Sequence, residues 1–366
     1  MKKVLIKERI LGSVLVLVLA ACVSAKAPEV SYPDFSGEAV SVSKYGNVLT
    51  DISAAAIENA GYEMGDVLII QSEGIAEEVP YVSAYSDVDR GNLLAHTDPD
   101  SGQIELAISY GNLSERLGIV LGSAVTLKMA VKGAYLSEFE IRHLEKSESR
   151  SDYASDEVFA NFREIRTGSI RARTLYRSCN PILGDARAPY AVALAEAAEI
   201  KTIINLADSD EELAQRGPSS PWYDSLIRSG NVVNLNMGVD FQSPDFPEKL
   251  KKALQFLIAS EGPYLIHCNE GKDRAGIVSA LLEGLAGAKL SDIKADYMVS
   301  YANYYGVTPN EARYAAIANI IVDILKEMNK GGAVTDRNLS QVIENYLTQN
   351  VGLSAQEISQ IRSRLR

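Results

Sequence analysis

The sequence predicts an α/β layered fold with a helical carboxyl-terminal part, preceded by a small β-rich domain. Three observations lead there. Between residues 174 and 286, short apolar strand patterns (Thr174–Arg177, Thr202–Leu206, Val232–Met237, Tyr264–His267) alternate with amphipathic helix patterns at 189–199, 247–259 and 275–286. That alternation builds a sheet covered by helices, with functional loops at the carboxyl ends of its strands. From Ser291 onward helical patterns dominate. Ahead of these, Asp66–Gln71, Ile104–Ser109, Ala124–Val131 and Leu136–Ile141 are β-favouring runs separated by Gly, Asn and Asp turns.

Read in order, residues 1–21 are a signal peptide. Lys2, Lys3, Lys7 and Arg9 precede an apolar run, Ile10 to Ala21, that is too short to span a bilayer. The run ends in Leu19-Ala-Ala-Cys22, which resembles the lipobox of bacterial lipoproteins. That resemblance implies lipidation of Cys22 and an extracytoplasmic protein anchored to a membrane. Residues 22–36 read as a tether, 37–144 as the β-rich domain, and 157–366 as the larger α/β domain. The segment 145–156 (Glu-Lys-Ser-Glu-Ser-Arg-Ser-Asp-Tyr-Ala-Ser-Asp) is polar and aperiodic, so it reads as a linker.

Composition narrows the function classes. Without residues 1–21 the chain has 32 Lys and Arg against 47 Asp and Glu, a net charge of −15 that disfavours nucleic acid as a partner. Three cysteines (Cys22, Cys179, Cys268) make no disulfide framework. Three scattered histidines (His96, His143, His267) and the lack of a Cys-x-x-Cys pair predict no metal centre and no cofactor.

Chemistry is concentrated in Tyr264-Leu-Ile-His-Cys-Asn-Glu-Gly-Lys-Asp-Arg-Ala-Gly276. An apolar strand enters a tight loop, and an apolar helix leaves it. Successive backbone N–H groups over Asn269, Glu270, Gly271, Lys272 and Ala275, added to the positive end of the helix dipole, form an anion cradle. Arg274 adds a planar fork that matches two phosphate oxygens. The same field favours thiolate at Cys268, a nucleophile. Gly271 and Gly276 let the backbone curl and approach a ligand, and His267 supports the loop.

These residues resemble the signature of the protein tyrosine phosphatase superfamily, His-Cys, five residues, then Arg. Gly271-Lys-Asp-Arg274 is similar to its bacterial, lipid-phosphatase-like branch. Asn161-Phe-Arg-Glu-Ile165, Leu175-Tyr-Arg-Ser178, Asp292–Ser300 and Val351–Arg362 resemble further elements of that family, in order. The resemblance implies a phosphatase-like layered fold and a cysteine-dependent phosphomonoesterase acting through a phosphocysteine. It also implies a phosphorylated protein, an inositol phosphate or a phosphoinositide as substrate. Two departures stand out: Cys179 replaces an expected glycine, and Ala275 replaces a hydroxyl residue that would help the cysteine leave phosphorus. The resemblance also implies that the segment Leu175–Ser178, which Cys179 follows, lies near the pocket, so a reversible link between Cys179 and Cys268 under oxidation is expected. Lys44-Tyr-Gly-Asn-Val-Leu-Thr-Asp51 and Gly111–Gly118 resemble the carboxyl-terminal barrel of the S-adenosylmethionine hydroxide adenosyltransferases, from which no transferase activity is expected.

A leaving oxygen needs a proton. Pro221-Trp-Tyr-Asp224 has the letters of a Trp-Pro-Asp loop in another order, which leaves Asp273, implied by the resemblance, and Asp245 as candidates; Asp273 is preferred. Tyr297, Tyr301, Tyr304 and Tyr305 sit at helical spacing and read as packing rather than as a substrate wall. Two function classes stay open: an active exported phosphomonoesterase, and a catalytically inactive phosphate- or phospholipid-binding surface lipoprotein.

Overall fold

A computed structural model describes residues 31–366; residues 1–21, read above as a signal peptide, and Cys22 lie outside the described residues. The amino-terminal part is a seven-stranded sheet: β1 (Phe35–Val42), β2 (Val48–Ser53), β3 (Val67–Ser72), β4 (Ile75–Pro80), β5 (Leu93–Thr97), β6 (Gln103–Ile108) and β7 (Ala124–Val131). Their order is β4-β3-β7-β1-β2-β6-β5, antiparallel throughout. Alternate residues such as Val48, Leu68, Ile70, Leu106 and Leu127 fill its own core. Chain order is already fixed at Tyr32, whose ring packs edge-on against Tyr62 at 5.7 Å.

One expected strand is a helix. Leu136–Arg142 is helical: Leu136 and Phe139 stand at helical spacing, while Phe139 and Ile141 carry the alternation that reads as a strand. Its turns lie on the helix Ala312–Met328, where Ser137 Oγ donates to Ala316 O at 3.0 Å and Arg313 approaches Glu140 at 3.8 Å.

The second part is a five-stranded sheet of β8 (Arg163–Glu164), β9 (Leu175–Ser178), β10 (Thr202–Asn205), β11 (Val232–Asn234) and β12 (Tyr264–His267), in the order β11-β10-β12-β9-β8. All but β8 run parallel. β12 is central and buried at all four positions, which explains its continuous apolar run. The register pairs Asn205 with His267 and His267 with Ser178. The loops that follow these three strands therefore leave from one edge, and the functional residues collect there.

The helix Asp273–Leu285 starts at that edge and is buried from Ala275 to Leu285. Four further helices, Leu290–Tyr305, Ala312–Met328, Leu339–Gln349 and Ala355–Leu365, wrap it, and Tyr297, Ile317, Ile343 and Ile361 join its core. The tyrosine stripe is packing behind the loop. Tyr297, Tyr301 and Tyr304 are buried, and Tyr304 Oη donates to Glu270 O at 2.7 Å.

Candidate active site

Cys268 stands one residue beyond β12, 2 % exposed, and the loop Asn269–Lys272 curls from it into the helix that carries Arg274. Gly271 has φ +67°, and a Cβ there would collide with the carbonyl of Ser178. Only glycine lets the loop lie this close to the end of β9. Among the described residues the backbone N–H groups from Asn269 to Arg274 have no acceptor. Arg274 Nη1 donates to Met237 O at 2.9 Å, and its Nε is buried without a partner. A row of unpaired donors at a helix start, beside a thiol, is suited to holding a tetrahedral oxyanion against sulfur.

The loop keeps this shape because its carbonyls are held from behind. Arg177, fully buried on β9, donates to Gly271 O from Nε at 3.1 Å and from Nη2 at 2.7 Å, and to Lys272 O at 2.8 Å. Its Nη1 pairs with Asp296 at 2.6 Å, and Arg163 pairs with the other oxygen of Asp296 at 2.7 Å. Asn161 Nδ2 donates to Glu270 O at 2.9 Å, and the Asn180 amide donates to Asn269 O at 3.0 Å. Carbonyls held outward turn the amides inward. Gly276 is also required small, since a Cβ there would meet Arg177 and the Tyr297 ring at 3.0 to 3.1 Å.

His267 lies beneath the loop with no exposure. Its Nε2 meets Tyr223 Oη at 2.8 Å, and Tyr223 in turn accepts from Asn205 at 3.2 Å. Burial pushes its pKa down to about 4, with the nearby Asp208 carboxylate pulling the other way. A neutral imidazole in that position is structural. Asp208 is buried too, its pKa held below the ordinary range by hydrogen bonds from Asn205 and Asn180 and by Arg216 and His267, although burial opposes this.

The acid candidates differ in environment. Asp273 opens the helix at the loop mouth, and its carboxyl is pushed above the ordinary carboxylate range by the surrounding protein and by Glu270, against the pull of Lys272 and Arg274. Its side chain is still 44 % exposed, so water at the mouth screens that effect. Asp245 is exposed at the start of Phe246–Ala259 but does not cap it through its side chain. It pairs with Lys249 at 2.6 Å and accepts from Ser243 at 2.8 Å, contacts that hold its carboxyl below the usual range. Asp224 pairs with Arg228.

The Lys272 side chain is enclosed. It is 7 % exposed, with its ammonium 3.1 Å from Tyr305 Oη, 3.2 Å from Glu270 and over the rings of Tyr301 and Tyr305 at 5.2 and 5.1 Å. Burial opposes its charge, but Asp273 and Glu270 together raise its pKa. Ala275 is buried at the first helical turn. Cys179 and Cys268 are both free thiols; Cys179 packs with Ala160 and Ile182, in a different apolar cluster from Cys268, and burial pushes its thiol up.

Cys268, the loop amides, Asp273 and Arg274 thus share one strand end, loop and helix start, whereas Asp245 sits in an ion pair of its own. The roles of Arg177, Arg163, Asn161 and Asp296 were not read from sequence, although each stands in a motif that was. Residues 239–366 match the tyrosine phosphatase family. Residues 37–126 match the carboxyl-terminal domain of the SAM hydroxide adenosyltransferases. A tyrosine-protein phosphatase of Nostoc commune is 34% identical over 131 residues, 32% of this chain and 44% of the relative, so the chain spans less than half the length of that curated relative. An uncharacterized conserved protein from Thermotoga maritima is 27% identical over 26% of this chain and 36% of its own, with a TM-score of 0.25. The core catalytic domain of the PP-IP phosphatase SIW14 from S. cerevisiae, in complex with citrate, is 19% identical over 47% of this chain and 93% of its own, with a TM-score of 0.28.

Proposed function

We propose that the protein is a phosphomonoesterase in which Cys268 attacks phosphorus and carries the phosphoryl group before water removes it. The observation that carries this reading is the row of amides from Asn269 to Arg274, without acceptors among the described residues, that follows the buried thiol of Cys268 at a helix start. The sulfur displaces the leaving oxygen in line, while the amides and Arg274 hold the three equatorial oxygens, where charge concentrates. Asp273, protonated more readily than an ordinary carboxylic acid, gives its proton to the departing oxygen. Water then attacks phosphocysteine, and the same carboxylate takes the proton of that water. Tyrosine phosphatase similarity over residues 239–366 supports phosphotyrosine as a substrate; phosphoinositides and inositol phosphates fit the same anion cradle.

Ala275 favours a slow second step, since no hydroxyl stands at the loop exit to assist the thiolate as leaving group. We further propose that the chain is lipidated at Cys22 and acts outside the cytoplasm on a membrane. Initial rates of the purified protein on a phosphotyrosyl peptide, a phosphoinositide and an inositol polyphosphate, with and without a metal chelator, test the reading. Turnover of one of them by wild type, unaffected by chelator and lost in Cys268→Ser, is expected. Retention of turnover by Cys268→Ser would refute it.

A further inference from the structure

We propose that Lys146, contributed by the segment between the two sheets and outside the residues that match the phosphatase family, is a positioning residue that neutralises Glu270 and so keeps the loop mouth receptive to anions. This rests on the phosphomonoesterase reading of the loop. The segment 145–156 is a strap across the site rather than a spacer. Leu144, just before it, packs on the core formed by the five-stranded sheet and its helices. Arg187, 1 % exposed, donates through Nη2 to Ser147 O and through Nη1 to Phe159 O at 2.6 Å, and Tyr153 Oη donates to Ser147 O at 2.7 Å. The Arg187 guanidinium is itself enclosed by the rings of Phe159, Tyr304 and Tyr153 at 4.3, 4.8 and 5.0 Å. With its neighbour Ser147 fixed, Lys146 reaches the loop. Its ammonium pairs with Glu270 Oε1 and lies 5.3 Å over the ring of Tyr304, whose hydroxyl holds the Glu270 carbonyl.

Glu270 follows the nucleophile by two residues and is a liability in a cradle built for dianions. Its carboxylate stays ionised: burial opposes the charge, but Lys272 and Lys146 together hold its pKa down. Two lysines face that carboxylate, and removing one takes a positive charge from the corner. Lys272 is already shared with Asp273 at 3.9 Å and Tyr305, and Lys146 with the exposed Glu148 at 3.6 Å, so losing Lys146 leaves more carboxylate than ammonium charge there. Removing it should weaken capture of the anion in ground state and transition state alike, raising KM more than it lowers kcat.

The test uses the full chain, with kcat and KM on an aryl phosphate and, separately, the affinity for inorganic phosphate by calorimetry. In Lys146→Met, KM should rise and phosphate affinity fall by about tenfold, as expected for one charge at a partly buried mouth, with kcat changed by less than about twofold. The loss should shrink at high salt. Lys146→Arg should retain wild-type values, and adding Glu270→Gln to Lys146→Met should restore most of the affinity. Glu270→Gln alone, which does not depend on the stability of the Lys146 variant, should tighten phosphate. Unchanged KM in Lys146→Met, or a loss that Glu270→Gln leaves intact, would overturn the assignment while leaving the phosphatase reading in place. A wild type that neither turns over ester nor binds phosphate would overturn both.

Discussion

The guanidinium of Arg177 grips the carbonyl of Gly271 with two donors, Nε at 3.1 Å and Nη2 at 2.7 Å, from a position with no exposure to solvent. This contact ties β9, the neighbour of the central strand, to the middle of the loop Asn269–Lys272. Arg177→Lys keeps a charge for Asp296 but loses the planar fork, so Gly271 and Lys272 carbonyls lose their holder. We expect kcat/KM to fall by roughly a hundredfold, as for the loss of a preorganised donor set. Arg177→Met should in addition destabilise the fold by about 3 to 5 kcal/mol, because Asp296 is left buried with one partner fewer. Kinetics and thermal melts of the two variants separate these effects.

Asp273 is expected to be the general acid. Asp273→Asn should cost about a hundredfold or more on a tyrosyl or alkyl phosphate, and little on an aryl phosphate with an acidic phenol, since a good leaving group needs no proton. The sign of the pH effect follows from the raised pKa. The protonated form is the active one, so kcat for a poor leaving group falls as pH rises through that value, and Asp273→Asn removes this fall. Asp245→Asn should show small losses that do not depend on the leaving group. Asp240, exposed on the same loop and bonded only to the Gln242 amide at 2.9 Å among side-chain contacts, is the control that completes the set. Leaving-group dependence confined to Asp245→Asn or Asp240→Asn would move the assignment there.

Burial of His267 gives the fold a pH dependence of its own. Its pKa of about 4 in the folded state lies below the ordinary histidine value, so the unfolded chain binds the proton more tightly. Stability from this group is full above the unfolded value, near 6.5, and is lost as pH falls toward about 4, by on the order of 3 kcal/mol. Asp208, whose pKa is also depressed, acts in the same direction at lower pH. Melting temperature should therefore drop between pH 6.5 and 4, and His267→Gln should be less stable at neutral pH but flatter across that range. A His267→Gln profile parallel to wild type would contradict this.

Much of the site was legible because its chemistry is local in sequence. Cys268, Gly271 and Arg274 lie within one strand, loop and helix, and the apolar run from Pro263 to His267 marks the strand Tyr264–His267 to within a residue. Residues that act from a distance were not legible. Arg177 and Asp296 are separated by 119 positions, and Lys146 and Glu270 by 124, so nothing in either neighbourhood announces the partner. The aperiodic, serine-rich composition of 145–156 read as a spacer because its order comes from bonds to Arg187 rather than from apolar periodicity. In the amino-terminal sheet, β1, β2, β4 and β5 were missed, since polar residues break their alternation, as in Ile75-Ala-Glu-Glu-Val-Pro80.

The anchor proposed at Cys22 is tested at the mature amino terminus. Mass spectrometry of the native protein should find Cys22 as the first residue and lipidated, with the protein in the membrane fraction. Cys22→Ser should abolish the modification. An unlipidated terminus, or one that begins elsewhere, would contradict the proposal.

The central claim, a phosphoryl group carried by Cys268, is tested most directly by acid quench of the enzyme during turnover of an aryl phosphate, followed by peptide mapping. The absence of a hydroxyl at Ala275 should slow hydrolysis of the intermediate and let it accumulate. Wild type should carry phosphate on the sulfur of the peptide containing Cys268, Asp273→Asn more of it, and Cys268→Ser none. Phosphate on another residue, or turnover with a product burst and an unmodified Cys268 peptide, would contradict it.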